Sequence, residues 1–164
     1  MTEPEIRVLS AQPCAALRLT RPMTGIDIGE LVGQHLGALF AQLAPRGAEL
    51  AGAPYVRYHE WGDATAVVEI GFPVNDVGRL GLPALDDAAD GEPGAAQLPA
   101  GRAVVATHRG AYNELMTAWR DVDGWMVGRG LHAGGAPWES YVDNPDEVPP
   151  AELRTEIVWP LAED

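Results

Sequence analysis

Two glutamates interrupt strand-like apolar runs: Glu69 in Val68–Glu69–Ile70–Gly71–Phe72 and Glu156 in Thr155–Glu156–Ile157–Val158–Trp159. A carboxylate among aliphatic and aromatic neighbours is costly to bury unless it is paired, protonated or met by a cation. Near Glu156 the second half gathers Tyr112, Trp119, Trp138, Tyr141 and Trp159, in a chain only 7% aromatic. Ring faces attract cations and a carboxylate neutralises them, so this set is suited to a planar or delocalised cation. Glu156 is therefore expected to bind ligand with Tyr112, Tyr141, Trp138 and Trp119, with Tyr55 as the first-half contributor. The alternative for both glutamates is the solvated face of a sheet, or pairing with Arg154 and Arg57. For Glu69 that alternative is the expected one, and Trp159 is read as a core residue.

Other chemistries are poorly represented. His35, His59, His108 and His132 are scattered, without the His-Glu-x-x-His spacing of a zinc site. Ser10 and Ser140 do not lie in a Gly-x-Ser-x-Gly elbow. Asp143, Asp146 and Glu147 lack the glycine and terminal glutamate of a calcium loop. The single cysteine, Cys14, supplies neither an intrachain disulfide nor a Cys-x-x-Cys pair and reads as a small buried hydrophobe. No metal and no cofactor is expected.

A net charge of −13 without any cluster of Lys or Arg removes the counterion-release drive for nucleic acid. The same field favours cationic small molecules or basic partner surfaces, although an acidic balance is commonly a solubility feature. No apolar run reaches the roughly 18 residues of a membrane span. Met1–Glu5 lacks the basic and apolar regions of a secretory signal. The expected location is the cytoplasm, with no membrane partner.

These residues need a scaffold, and the chain writes its scaffold twice. Arg46–Gly47 and Gly52–Ala53–Pro54–Tyr55-x-x-Tyr58 return as Arg129–Gly130 and Gly135–Ala136–Pro137–Trp138-x-x-Tyr141, with 129 − 46 = 83 and 138 − 55 = 83. Glu69 returns as Glu156 at 156 − 69 = 87, which places a four-residue insertion between Tyr141 and Thr155. A tandem duplication follows, with half-repeats over about 5–74 and 97–161 and a connection over about 75–96.

In the first half, alternation predicts strands over 5–10 and 15–20, joined as a hairpin through Gln12–Pro13. Asp27 and Glu30 form a capping-box pattern ahead of a helical face of Leu31, Val32, Leu36, Leu39, Phe40 and Leu43. That helix is predicted to stop near Pro45. Strands over 55–61 and 64–74 turn at Gly62–Asp63. In the second half a strand over 103–108 precedes a helical face of Tyr112, Leu115, Met116, Trp119, Val122 and Met126, ending at Gly128–Arg129–Gly130. A hairpin over 138–142 and 153–161 follows, around a turn-rich 143–150. Two β-β-α-β-β units predict an α+β domain: a mainly antiparallel sheet with two long helices related by a pseudo-twofold axis. A groove between the two repeats is the natural place for a ligand.

The segments His108–Arg109–Gly110–Ala111–Tyr112, Gly135–Ala136–Pro137–Trp138–Glu139–Ser140–Tyr141, Asp143–Pro150 and Arg154–Leu161 together resemble the GyrI-like small-molecule-binding domains, also called AraC-type effector-binding domains. The family occurs alone or behind DNA-binding regions in multidrug-sensing regulators. The resemblance implies a duplicated core with a central pocket, Glu156 as the acidic residue that meets lipophilic cations, and Tyr112 and Tyr141 as aromatic pocket positions. Ala111 stands where proline often precedes the tyrosine, and no stretch is left for a helix-turn-helix, so a stand-alone domain is expected. The leading reading is broad-specificity binding or sequestration of hydrophobic, often cationic, aromatic compounds. Two alternatives stay open: hydrolysis of cyclopropane-bearing natural products by Glu156 with Tyr112 or Tyr141, and a protein-interaction role of the gyrase-inhibitor type.

Overall fold

The computed structural model describes residues 1–163. In chain order the elements are β1 (Glu5–Leu9), β2 (Gln12–Pro22), α1 (Ile28–Leu43), β3 (Tyr55–Trp61), β4 (Thr65–Pro73), β5 (Gly94–Leu98), β6 (Gly101–Arg109), α2 (Leu115–Gly128), β7 (Trp138–Tyr141) and β8 (Arg154–Pro160). The chain is α+β, as expected, and divides into two compact units, one spanning Ala11–Leu98 and the other combining Met1–Ser10 with the chain from Pro99 onward.

In the Ala11–Leu98 unit the strand order is β3-β4-β2-β5, every neighbour antiparallel. Asp27 caps α1 by accepting from the Glu30 backbone N–H at 3.1 Å, satisfying one of the orphan donors of the first turn. Leu39 and Leu43 are its buried residues, and Phe40 packs edge-to-face on Phe72 at 6.0 Å. This fixes α1 on the Val68–Ile70–Phe72 face of β4. Tyr55, Glu69 and Gly71 point from the other face, because cross-strand partners Tyr55↔Gly71 and Arg57↔Glu69 share a side. A Cβ on Gly71 would lie 2.6 Å from Ala16 Cβ and 2.7 Å from Ala15 O, so this β2–β4 crossing requires glycine.

The second unit repeats the pattern with the order β1-β6-β8-β7. Helix α2 covers Val104, Ala106 and Ile157 with Leu115, Ala118, Val122 and Met126. Met116, expected on the buried face, is 62% exposed, and Ala118 takes its place. The helix stops as expected, with Gly130 at φ 67°.

Two expectations are corrected. The predicted first hairpin does not form: β1 pairs with β6, while β2 pairs with β4 and β5. Only Ser10 and Ala11 separate β1 from β2, and a two-residue hairpin needs positive φ that these residues do not adopt, positive φ being confined to glycines. The chain therefore runs on from β1 in one unit to β2 in the other. The expected connection over 75–96 also contributes structure, since its end opens β5 and Leu80 and Leu85 are buried.

Candidate functional site

Strand β7 offers only four residues, and alternation sends Glu139 and Tyr141 to the α2 side and Trp138 and Ser140 to the other. Glu139 is 4% exposed. Its Oε1 accepts the Trp119 indole N–H at 2.9 Å, and its Oε2 accepts the Tyr141 hydroxyl at 2.7 Å. Helix α2 supplies Trp119 because its inward stripe continues from Leu115 through Ala118 and Val122. Tyr112, in the 3-10 turn before α2, packs on Tyr141 with ring centroids 5.5 Å apart and planes at 63°. Trp119 meets Trp159 in the same manner at 5.4 Å and 76°. Each edge-to-face pair is worth about 0.5–1.5 kcal/mol beyond area burial, and hydrogen bonds to a charged group contribute about 1.5–3 kcal/mol. Two partly buried rings thus hydrogen-bond one carboxylate, and two more pack edge-to-face on those rings.

Two carboxylates act on Tyr112. Burial first, and then the charges of Asp143 and Glu139, push the Tyr112 phenol above its ordinary value. The Arg154 guanidinium grips Asp143 through Nε and Nη2 at 2.9 and 2.8 Å, which holds the Asp143 carboxyl below its ordinary range.

The structure thus brings together Tyr112, Tyr141 and Trp119 of the expected residues, but not Glu156. Register pairs Glu156 with Thr107 and Ser140, which puts it on the face away from α2. There its side chain is 34% exposed, with Arg7 Nη1 at 3.8 Å. The expectation that Glu156 sits among the tyrosines is corrected by this one-residue parity. Trp138 is buried on the Glu156 side. The carboxylate among the rings is Glu139. A signal for it was available in the repeat, because 139 − 83 = 56 and Val56 is fully buried: a carboxylate replaces a core aliphatic.

Tyr55 belongs to a separate constellation. Its hydroxyl donates to Glu69 Oε2, and His59 Nε2 lies 2.8 Å from Glu69 Oε1. Glu69 is 2% exposed, which overturns the expected solvated face, while Arg57, the partner expected in the other alternative, sits opposite it in the β3–β4 register. Burial pushes its carboxyl up, yet hydrogen bonds from His59 and Tyr55 outweigh that and hold it below the ordinary 4.5. These partners have no counterpart in the other unit: Trp138 replaces Tyr55, and Val142 replaces His59 at 142 − 59 = 83. The Glu156 position has lost the donors that make burial tolerable at Glu69.

The model of the GyrI-like small molecule binding domain matches residues 2–162, and the chain belongs to that family. The fold is similar to the crystal structure of the EcmrR C-terminal domain, with TM-score 0.76 and 22% identity over 99% of this chain and 98% of that one. In the EcmrR–DNA complex the TM-score is 0.79 at 21% identity, and the match spans 58% of the longer EcmrR chain. A hydrolase from Listeria innocua matches with TM-score 0.61 and 15% identity over 98% of this chain and 92% of its own. SAV2435 bound to tetraphenylphosphonium matches with TM-score 0.63 and 12% identity over 98% and 94%. No curated protein matches. Among the described residues, no helix is long and apolar enough to cross a membrane.

Proposed function

We propose that the chain binds hydrophobic aromatic cations of varied shape, and that the group recognising their charge is Glu139. The observation that carries this reading is a single buried carboxylate held by Trp119 and Tyr141 inside a cage completed by Tyr112 and Trp159. Rings accept many flat or propeller-shaped outlines, whereas the carboxylate selects positive charge, so broad shape tolerance and charge selectivity come from different atoms. Burial first, and then the nearby charges of Asp143 and Glu139, raise the Tyr112 phenol, and those two charges are of the sign that favours a cation. The net charge of −13 adds a long-range attraction of the same sign. The ligand of SAV2435, tetraphenylphosphonium, is a lipophilic cation of the kind such a cage suits.

Titration with tetraphenylphosphonium tests the reading. Tryptophan fluorescence of the wild type is expected to quench to saturation, and Glu139→Gln to weaken binding about tenfold or more. A saturating curve that Glu139→Gln leaves unchanged refutes Glu139 as the charge-recognising group.

A further inference from the structure

Beside the cage, three side chains stand in a row across the α2 face of the sheet: His108 on β6, Thr155 on β8 and Tyr141 on β7, joined by the register pairs His108↔Thr155 and Tyr141↔Thr155. The Tyr141 hydroxyl is committed to Glu139, and His108 Nε2 lies 3.2 Å from the Ala111 carbonyl oxygen. Thr155 differs. It is fully buried, and among the described residues its Oγ1 has no hydrogen-bond partner. A buried hydroxyl without a partner has lost its hydrogen bonds to water with nothing in exchange. Valine has the same shape and would remove that cost, so the hydroxyl is a liability in the free domain.

The neighbouring rows show what this position ordinarily holds. The row one step along the strands is Ala106, Ile157 and Glu139, and the next contains Val104 and Trp159. In both, the central β8 position is apolar, and α2 packs directly on it. Thr155 is the cross-strand neighbour of Tyr141, and the ring that packs on Tyr141 comes from the 3-10 turn Tyr112–Glu114 that precedes α2. Gly110 precedes that turn at φ 147°, a conformation open to glycine, and only Ala111 separates it from Tyr112. The element next to this row is therefore a short turn, following a glycine at positive φ, that carries a partly buried ring.

We infer that Thr155 is a hydrogen-bonding subsite of the aromatic cage, uncovered when Tyr112 swings outward, so that the preferred ligands are aromatic cations bearing an N–H, hydroxyl or carbonyl group beside the ring system. The inference rests on the cage reading above and narrows its ligand class. Glu139 supplies charge recognition and is indifferent to where the ligand's polar groups lie. Thr155, one cross-strand step from Tyr141, adds a fixed point that can donate or accept. A ligand that meets it satisfies a group the free domain leaves unpaired, which makes the discrimination larger than for an exposed hydroxyl.

Two probes separate the terms: tetraphenylphosphonium, which has no hydrogen-bonding group, and ethidium, a planar cation with two aryl amines. In Thr155→Val, ethidium affinity is expected to fall about five- to tenfold while tetraphenylphosphonium affinity stays within about twofold. Thr155→Ser, which keeps the hydroxyl, is expected to retain the ethidium affinity of the wild type. Equal changes for both probes in Thr155→Val, an unchanged ethidium affinity, or an ethidium loss in Thr155→Ser each overturn the subsite while leaving the cage reading intact. A wild type that binds neither cation overturns both.

Discussion

The Trp119 indole N–H donates to Glu139 Oε1 at 2.9 Å, tying the middle of α2 to the short strand β7 through a charged acceptor. The bond links two sequence features that carry different information: an amphipathic helix that any small α+β fold could own, and a carboxylate where the repeat holds valine. It also orients the ring that meets Trp159 edge-to-face, so ring and carboxylate are positioned by one contact.

Trp119→Phe keeps an aromatic side chain but deletes the N–H donor and part of the ring system. Removing one partner of a buried charged acceptor costs about 1–3 kcal/mol. The variant is expected to lose about that much stability to urea unfolding and to bind tetraphenylphosphonium less tightly, because the wall of the site loses the indole that Glu139 holds in place. A variant as stable as the wild type would show the bond to be dispensable.

Glu156→Gln is the matched control for Glu139→Gln. Glu156 lies on the opposite sheet face and is partly solvated beside Arg7 at 3.8 Å, where an ion pair is worth about 0–1 kcal/mol. Its removal is expected to change cation affinity less than about twofold and stability by less than about 1 kcal/mol. A tenfold loss of affinity, read by the same fluorescence titration, would return the site to Glu156.

The Tyr55–Glu69–His59 network predicts a pH dependence with two limbs. Glu69 has its carboxyl below the ordinary 4.5 in the folded state, so the unfolded chain binds more protons there. Its stabilisation is present above about 4.5 and is lost as pH falls through the lower folded value. Tyr55 is raised above the ordinary 10.0, by burial first and then by the charge of Glu69. That contribution is full below 10.0 and is lost as pH rises through the folded value. Urea midpoints against pH should decline at both ends in the wild type. Glu69→Gln should flatten the acid limb and Tyr55→Phe the alkaline limb, both at a lower plateau.

Cys14 is fully buried, and burial pushes its thiol up from 9.0 to about 11. Thiolate is the reacting form, so iodoacetamide at pH 8 should label the native protein no faster than the protein opens. Addition of denaturant should make labelling prompt. Stoichiometric labelling of the native protein within seconds would contradict the buried position.

Much of the scaffold was legible because its signals are local. Asp27 three residues before Glu30, the Leu39–Leu43 spacing and the Gly128–Arg129–Gly130 stop each act within one or two turns of chain. The β3–β4 and β7–β8 pairings were legible for the same reason. The pairing of β1 with β6 was not, since nothing in Glu5–Leu9 names a partner almost a hundred residues away; only the missing positive-φ turn at Ser10–Ala11 excludes the hairpin.

What the sequence determined by itself was therefore the kind of site: rings with a carboxylate, on a twice-written α+β unit, in an acidic chain. Which carboxylate lies among the rings was decided by the tertiary structure. Glu139 and Glu156 sit on neighbouring strands and differ by one step of parity, and side chains on a strand alternate between faces. That step puts Glu139 under α2 beside Trp119 and Tyr141, and turns Glu156 toward Arg7 and water. Composition and spacing carry no record of the face each strand gives to its helix; packing of α2 on Ala106 and Ile157 sets it.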